Sequence, residues 1–325
     1  MNRRGFRIIL VLSLASAAVG LCISLTSSHK EEAVLPDGRV QLRLNEALTN
    51  EISDTSALTG LDTKIQSYMR QWGLHGASLA IMRNDSLVYA KGYGWADEEK
   101  QVKMQPSNIL RVASVSKLLT AAGIMLLQDQ GKLNIKDTVF GPRGILTDTT
   151  YTSVMKDLNY KKITVEDLLR HKGGFTSYGG DPMFSTRTIM QTNHLDTPPD
   201  NTELMRIMLR RRLRFVPGTS QYYSNFGYLL LSKVIEEVSG QPYEEFMQKN
   251  VLEPAGCYDM HIAGNYYKDK RKNEVRYYNG ADTCLVDEFN NSGNMVERCY
   301  GGSDIHSLSG AGAWVCSTPE LARFV

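Results

Sequence analysis

The chain has 325 residues, with 42% hydrophobic and 22% charged side chains and a formal net charge of +2. That length and composition allow one large folded domain or two smaller ones and exclude a disordered or fibrous chain. The near balance of acids and bases leaves no electrostatic footprint for nucleic acid, and the run Arg210-Arg-Arg-Leu-Arg214 reads as a helix end or solvated face.

Residues 1–28 differ from the rest. Arg3, Arg4 and Arg7 precede an apolar stretch over 8–25, which reads as an export signal. The stretch of about 18 residues is also just long enough to cross a bilayer, so an uncleaved membrane anchor is the alternative. Ala15-Ser-Ala17 offers a cleavage site, whereas Leu21 before Cys22 is bulkier than the small residue that usually precedes a lipid-modified cysteine. Residues 29–60 are polar without clear periodicity and read as a linker from the membrane to the domain. Export places Cys257, Cys284, Cys299 and Cys316 in an oxidising compartment, where one or two disulfides are allowed. They form no Cys-x-x-Cys and no paired histidine motif accompanies them, so no metal site and no cofactor is expected.

Leu61, Ile65, Tyr68, Met69 and Trp72 recur at helical spacing, and Gly73 ends that helix. Residues 76–82 and 86–94 flank Arg83-Asn-Asp85 and read as an antiparallel hairpin. Residues 115–130 are apolar on nearly every side and predict a buried helix with Gly131 as its stop. A loop follows, then a short helix over 165–170 capped by Thr164. Residues 181–200 read as an irregular surface excursion. Helices are expected over 201–213, 229–238 and 242–248, the last opened by Pro242. Residues 262–309 are polar and Asn/Gly-rich, without an assignable pattern. Ser317 caps a final helix, and the chain stops at Val325 without a helix cap or closing strand, which predicts a chain that lacks its C-terminal part.

The chemistry centres on Arg111-Val-Ala-Ser-Val-Ser-Lys117. If a helix starts here, positions three apart share a face and bring the Ser114 hydroxyl to the Lys117 ammonium, while Ser116 points elsewhere. A serine hydroxyl needs a base within hydrogen-bond reach, and a lysine stripped of water at the start of a core helix can be that base or hold it in place. Downstream, Tyr223-Ser-Asn225 sits in a loop before a helix. A tyrosine becomes a plausible base when a neighbouring ammonium stabilises its phenolate.

With Leu168-Leu-Arg-His-Lys-Gly-Gly174, Val216-Pro-Gly-Thr219, Tyr223-Ser-Asn-Phe-Gly-Tyr-Leu-Leu230, Glu236-Glu-Val-Ser-Gly240, Leu252-Glu-Pro254 and Gly310-Ala-Gly-Ala-Trp-Val-Cys-Ser-Thr318 in the same order, the chain resembles the serine β-lactamase and penicillin-binding-protein superfamily. The class C β-lactamase-like branch, with its DD-peptidases and esterases, is the nearest in pattern. The resemblance covers residues 61–325. It implies an α+β fold (an α/β sandwich) with an antiparallel sheet flanked by helices and a mostly helical lobe, the sheet being incomplete in this chain. It also implies that Ser114 is acylated, Lys117 is its activating partner, Tyr223 is the second proton-transfer group and Asn225 is a donor to the substrate. The expected substrate is a small peptide, β-lactam or ester, handled outside the cytoplasm, in the periplasm or at the membrane. An esterase or D-amino-acid peptidase, and a penicillin-binding sensor without turnover, are the alternatives. The family's third motif, Lys/His-x-Gly on a strand, does not occur after Asn225. His171-Lys-Gly173 has the letters but reads as the family's separate His-x-x-Gly turn. His194 and His306 receive no role.

Overall fold

The backbone turns at Asn84 and Asp85, both at positive φ (50° and 58°), and this paired left-handed turn sets the first hairpin, because its twist matches that of the flanking strands. The computed structural model describes residues 48–53, 58–177, 180–279 and 284–325, all within one unit spanning 43–325. Strands β1 (Gly76–Arg83) and β2 (Ser86–Asp97) pair antiparallel from Gly76↔Gly94 to Arg83↔Ser86, with an irregularity at Ile81/Met82. Strand β3 (Val102–Lys103) joins the other edge of β2. Helix α1 (Thr59–Trp72) ends at Gly73 in the left-handed region. It is fastened to β2 through Asp62. Tyr89, Lys91 and Tyr93 alternate along the strand and so share a face, and their polar ends meet the Asp62 carboxylate at 2.8, 2.9 and 2.8 Å.

The linker reading of 29–60 fails at its C-terminal end, because residues 48–53 dock onto the sheet. Leu48 is buried, Asn50 accepts from Gly92 N and donates to Met104 O, and Ser53 Oγ donates to Ala90 O at 2.6 Å. Polar side chains there satisfy strand and loop backbone groups that would otherwise be unpaired, which a periodicity reading cannot register. Residues 1–28, read as signal or anchor, lie outside the described residues.

A second antiparallel sheet has the order β4 (Leu110–Arg111), β8 (Trp314–Cys316), β5 (His261–Ile262). A third pairs β6 (Val286–Asp287) with β7 (Met295–Val296). The helical part comprises α2 (Ser116–Asp129), α3 (Thr149–Thr152), α4 (Val165–Leu169), α5 (Thr186–Asn193), α6 (Asn201–Leu209), α7 (Asn225–Ser239) and α8 (Tyr243–Met247). The last helix, α9 (Thr318–Phe324), is capped by Ser317 and packs on β1, where Ser78 Oγ meets Thr318 Oγ1 at 2.7 Å. The mixed helix and antiparallel-strand architecture is the α+β arrangement expected, with the strands divided among small sheets.

Helix α7 is the centre of the core. Phe226, Leu229, Leu230, Leu231, Val234 and Ile235 are all essentially inaccessible, as are Leu119, Ile124 and Leu127 of α2. Each such side chain contributes about 1.5–3 kcal/mol by leaving water. Four helical expectations change, the first being that α6 ends at Leu209 and not at 213, with Arg210 as its C-cap. Helix α2 is not buried all round, since Leu118 and Met125 are exposed. Helix α7 starts four residues earlier than its apolar run, because Ser224 caps it by accepting from Gly227 N. The stretch read as a surface excursion contains α5, whose Ile189 and Met190 are buried.

Cys257, Cys299 and Cys316 are in no disulfide among the described residues. Cys257 donates to Glu320 O, Cys299 donates to Tyr277 O, and burial pushes the Cys257 thiol up to about 12.

The Asp62 anchor gives the first prediction. Burial works to raise its pKa, but the hydrogen bonds from Lys91, Tyr89 and Tyr93 outweigh this and lower it. The anchor's contribution is therefore present above the unfolded value of about 3.9 and is lost as pH falls through the lower folded value. Asp62→Ala should cost about 1.5–3 kcal/mol in urea unfolding at pH 7, the range for hydrogen bonds to a charged group. A loss below about 0.5 kcal/mol, the scale of an ordinary surface substitution, would show that the helix needs no such anchor.

Candidate functional site

Strand β4 carries the chain into the site by pairing Leu110 with Cys316 and Arg111 with Val315. Val112 N extends the contact to Trp314 O at 3.0 Å. Ala113 then adopts φ +46°, a left-handed conformation that costs a residue with a Cβ about 1–2 kcal/mol. Strain of this kind concentrates at functional sites. A short 3-10 turn, Ala113–Val115, leads into α2, so Ser114 stands exposed just before the helix and Lys117 lies one turn further on, only 7% exposed. The spacing brings the two together, with Lys117 Nζ 3.4 Å from Ser114 Oγ. Ser116 points away, as expected, and accepts from Trp314 N at 3.2 Å.

No carboxylate touches the Lys117 ammonium among the described residues. It donates instead to Asn225 Oδ1 at 2.7 Å and to the backbone carbonyl of Ala311. Burial pushes its pKa below the ordinary lysine value, and the neighbouring Tyr223 and Asp181 only partly offset this. The ammonium also lies 4.7 Å from the centre of the Tyr223 ring.

Tyr223 directly precedes the Ser224 cap, and its hydroxyl reaches Ser114 Oγ at 2.6 Å. This is the shortest link to the serine. Asn225, the first residue of α7, is 8% exposed and engaged at both ends of its amide: Oδ1 accepts from Lys117 and Nδ2 donates to Asp181 Oδ2 at 2.7 Å. The sequence assigns Asn225 to the substrate. Its position makes it first a bridge that orients Lys117, with a single N–H left over for any other partner. All four expected residues, Ser114, Lys117, Tyr223 and Asn225, thus meet at one place. Tyr228 is buried, whereas Tyr222 is 41% exposed, its hydroxyl 3.1 Å from Ser177 Oγ.

Two contributors were not read from sequence. Asp181 caps the turn Pro182–Phe184 by accepting from Met183 N and fixes the Asn225 amide from outside. Its Asp-Pro dipeptide signals a turn but says nothing of a partner 44 residues away. The second is the Ala311 carbonyl. It reaches Lys117 because Gly310 passes tightly over α2: a Cβ on Gly310 would sit 2.6 Å from Thr120 Oγ1. Thr120 Oγ1 donates to Gly310 O and bonds Tyr243, and Trp314 Nε1 donates to the same phenol at 3.0 Å. This buried polar group holds α2, α8, β8 and the 306–311 segment together behind the site. Burial pushes the Tyr243 phenol up to about 12, so it stays neutral.

The arrangement offers an exposed hydroxyl, a phenol within proton-transfer distance of it, and a fixed, poorly hydrated ammonium beside both. That combination can generate an alkoxide-like nucleophile and return the proton to a leaving group.

A family model described as Beta-lactamase matches residues 61–325. PbpX of Bacillus subtilis (strain 168), provisionally named a penicillin-binding protein, is 30% identical over 209 residues, covering 64% of this chain and 46% of that relative. The chain therefore spans about half the length of this relative. Among solved structures, the octameric penicillin-binding protein homologue from Pyrococcus abyssi matches with a TM-score of 0.58 and 26% identity, over 82% of this chain and 55% of the other. D-amino acid amidase from Ochrobactrum anthropi SV3 matches with a TM-score of 0.61 and 21% identity, over 83% and 69%. The last is a likeness of fold alone.

The buried ammonium is directly testable. With lysines labelled at Cε and Lys117 assigned by Lys117→Met, its NMR titration should fall below the usual value of about 10.5. Because the folded chain binds fewer protons in the window between the two values, wild type should gain stability relative to Lys117→Met as pH rises through it. A Lys117 titration at or above the usual value would contradict the described environment.

Proposed function

The chain belongs to the β-lactamase family, and from that premise we propose that it is a serine hydrolase that forms an acyl-enzyme through Ser114 on an amide, β-lactam or ester carbonyl. The observation that carries this reading is the 2.6 Å contact between Ser114 Oγ and the Tyr223 hydroxyl beside an ammonium held by Asn225.

In this reading the Ser114 proton passes to the Tyr223 oxygen, which is closer to Ser114 Oγ than Lys117 Nζ is, at 2.6 against 3.4 Å. Lys117, as an ammonium, stabilises the phenolate, and Asn225 and the Ala311 carbonyl keep it aimed there. Ser114 Oγ attacks the carbonyl carbon and forms the tetrahedral intermediate. Tyr223 then returns the proton to the leaving nitrogen or oxygen as the carbonyl re-forms, leaving an ester on Ser114. Water, activated by the same phenolate, releases the acid. A site open at Ser114 and half-exposed at Tyr223 suits a substrate arriving from solvent. Arg3, Arg4 and Arg7 ahead of an apolar stretch support action outside the cytoplasm, either exported or membrane-anchored.

Fluorescent penicillin together with chromogenic lactam, amide and ester substrates tests the proposal. Covalent label should appear on wild type and vanish in Ser114→Ala, and Tyr223→Phe should fold normally but lose on the order of 10²–10⁴ in acylation rate. Slow release of label would assign a penicillin-binding protein and fast release a β-lactamase. Ester or amide turnover without label would assign an esterase or amidase. Label or turnover unchanged in Ser114→Ala would overturn the assignment. The acylation rate should also fall at alkaline pH, below the usual lysine value of about 10.5, as Lys117 loses the proton that stabilises the phenolate. A rate that keeps rising through pH 10 would remove the ammonium from the mechanism.

A further inference from the structure

The His171-Lys-Gly173 turn lies outside the four-residue cluster, yet His171 contacts Tyr223 and both of its chain neighbours. The His171 carbonyl accepts from Tyr222 N at 2.8 Å, and its ring Nδ1 accepts from Ser224 N at 3.2 Å. The residues on either side of Tyr223 are thus tied to one residue. The His171 ring lies against Tyr223 itself, with centres 4.6 Å apart and planes tilted by 38°, and against Tyr228 at 5.1 Å. His171 adopts φ +57°, which turns its carbonyl and its ring toward the same loop.

We infer that His171, as a neutral imidazole with its Nδ1 unprotonated, is the positioning residue that sets Tyr223 against Ser114. This deepens the proposed function and rests on Tyr223 being its proton-transfer group. The tautomer follows from the hydrogen bond: a backbone N–H only donates, so Nδ1 must accept, and the ring's single proton sits on Nε2. A second proton on Nδ1 would face the Ser224 N–H, break that tie and release one side of the Tyr223 loop. The titratable groups facing the ring are Lys117 of α2, Tyr223 and Tyr228. Burial and then the Lys117 charge hold the imidazole's pKa below its usual value, so the neutral form prevails near neutral pH and is lost only on acidification. A displacement of about 1 Å in a reacting group can cost on the order of 10² in rate, so the tie has a catalytic readout.

The experiment follows the Tyr223 phenol carbon by NMR in tyrosine-labelled protein, with the resonance assigned by Tyr223→Phe, while acylation is measured in parallel from pH 8 to pH 5. His171→Asn keeps an acceptor near the Nδ1 position, suits a left-handed backbone and does not titrate. His171→Phe keeps a ring but removes the acceptor. In wild type the Tyr223 resonance should move on acidification below about pH 6.5, and acylation should fall with it. In His171→Asn the resonance should stay at its neutral position across the range, with acylation near wild type at pH 7.5 and no matching acid limb. In His171→Phe the resonance should be displaced at every pH and acylation reduced about 10- to 100-fold. A Tyr223 resonance at its wild-type position in folded His171→Phe, or an unchanged acid titration in His171→Asn, overturns the inference. If the resonance moves in His171→Phe but acylation does not, His171 positions Tyr223 and the catalytic reading of Tyr223 is what fails.

Discussion

An ammonium buried at the start of α2 with no carboxylate against it among the described residues is the constraint on which the site depends. Taking a charge out of water is costly unless several polar groups receive it. Here the acceptors are a side-chain amide from α7 and a main-chain carbonyl from the 306–311 segment. Neither neutralises the charge, so Lys117 keeps a strong field directed at Ser114 and Tyr223. A carboxylate in place of Asn225 would make the lysine more comfortable and its field weaker. Asp181 does supply a negative charge, but it acts through the Asn225 amide and at a distance.

The surrounding architecture serves that arrangement. Helix α7 supplies Phe226, Leu229, Leu230, Leu231, Val234 and Ile235 to the core, and its first turn supplies Asn225. The polar group of Thr120, Tyr243, Trp314 and Ser116 fixes the α2 start to β8 and to the Gly310–Ala311 crossing. The polar stretch that follows α8 also contributes. Arg111, just before the Ala113–Val115 turn, lies over the Tyr277 ring at 4.4 Å and donates to Cys299 O and Gly264 O. A segment without regular periodicity thus braces the strand that presents Ser114.

Much of this was legible in the amino-acid order. The Arg83-Asn-Asp85 turn, the Gly73 stop, the Thr164 cap and the Ser317 cap are local signals, and each stands where expected. Ser114 and Lys117 were legible because a helical spacing of three is local too. What escaped depends on partners far apart in sequence: Ala311 is 194 residues from Lys117, and Asp181 acts only through Asn225. Asn225 shows the limit well. Its residue type suits substrate binding or a cap, and only the packing of α7 against α2 gives its amide oxygen to Lys117 while Ser224 takes the cap. His171 was legible as a turn former, but its hold on both flanks of Tyr223 needs the folded loop.

The central claim is that Ser114, and not its neighbour Ser116, becomes the acyl carrier. Cleavage after Arg111 and Lys117 yields a peptide that contains both serines, so tandem mass spectrometry of the protein trapped with a β-lactam or an activated ester can place the acyl group residue by residue. The added mass should fall on Ser114, with Ser116 unmodified behind its bond to Trp314. An acyl group on Ser116, or one found outside this peptide, would contradict it.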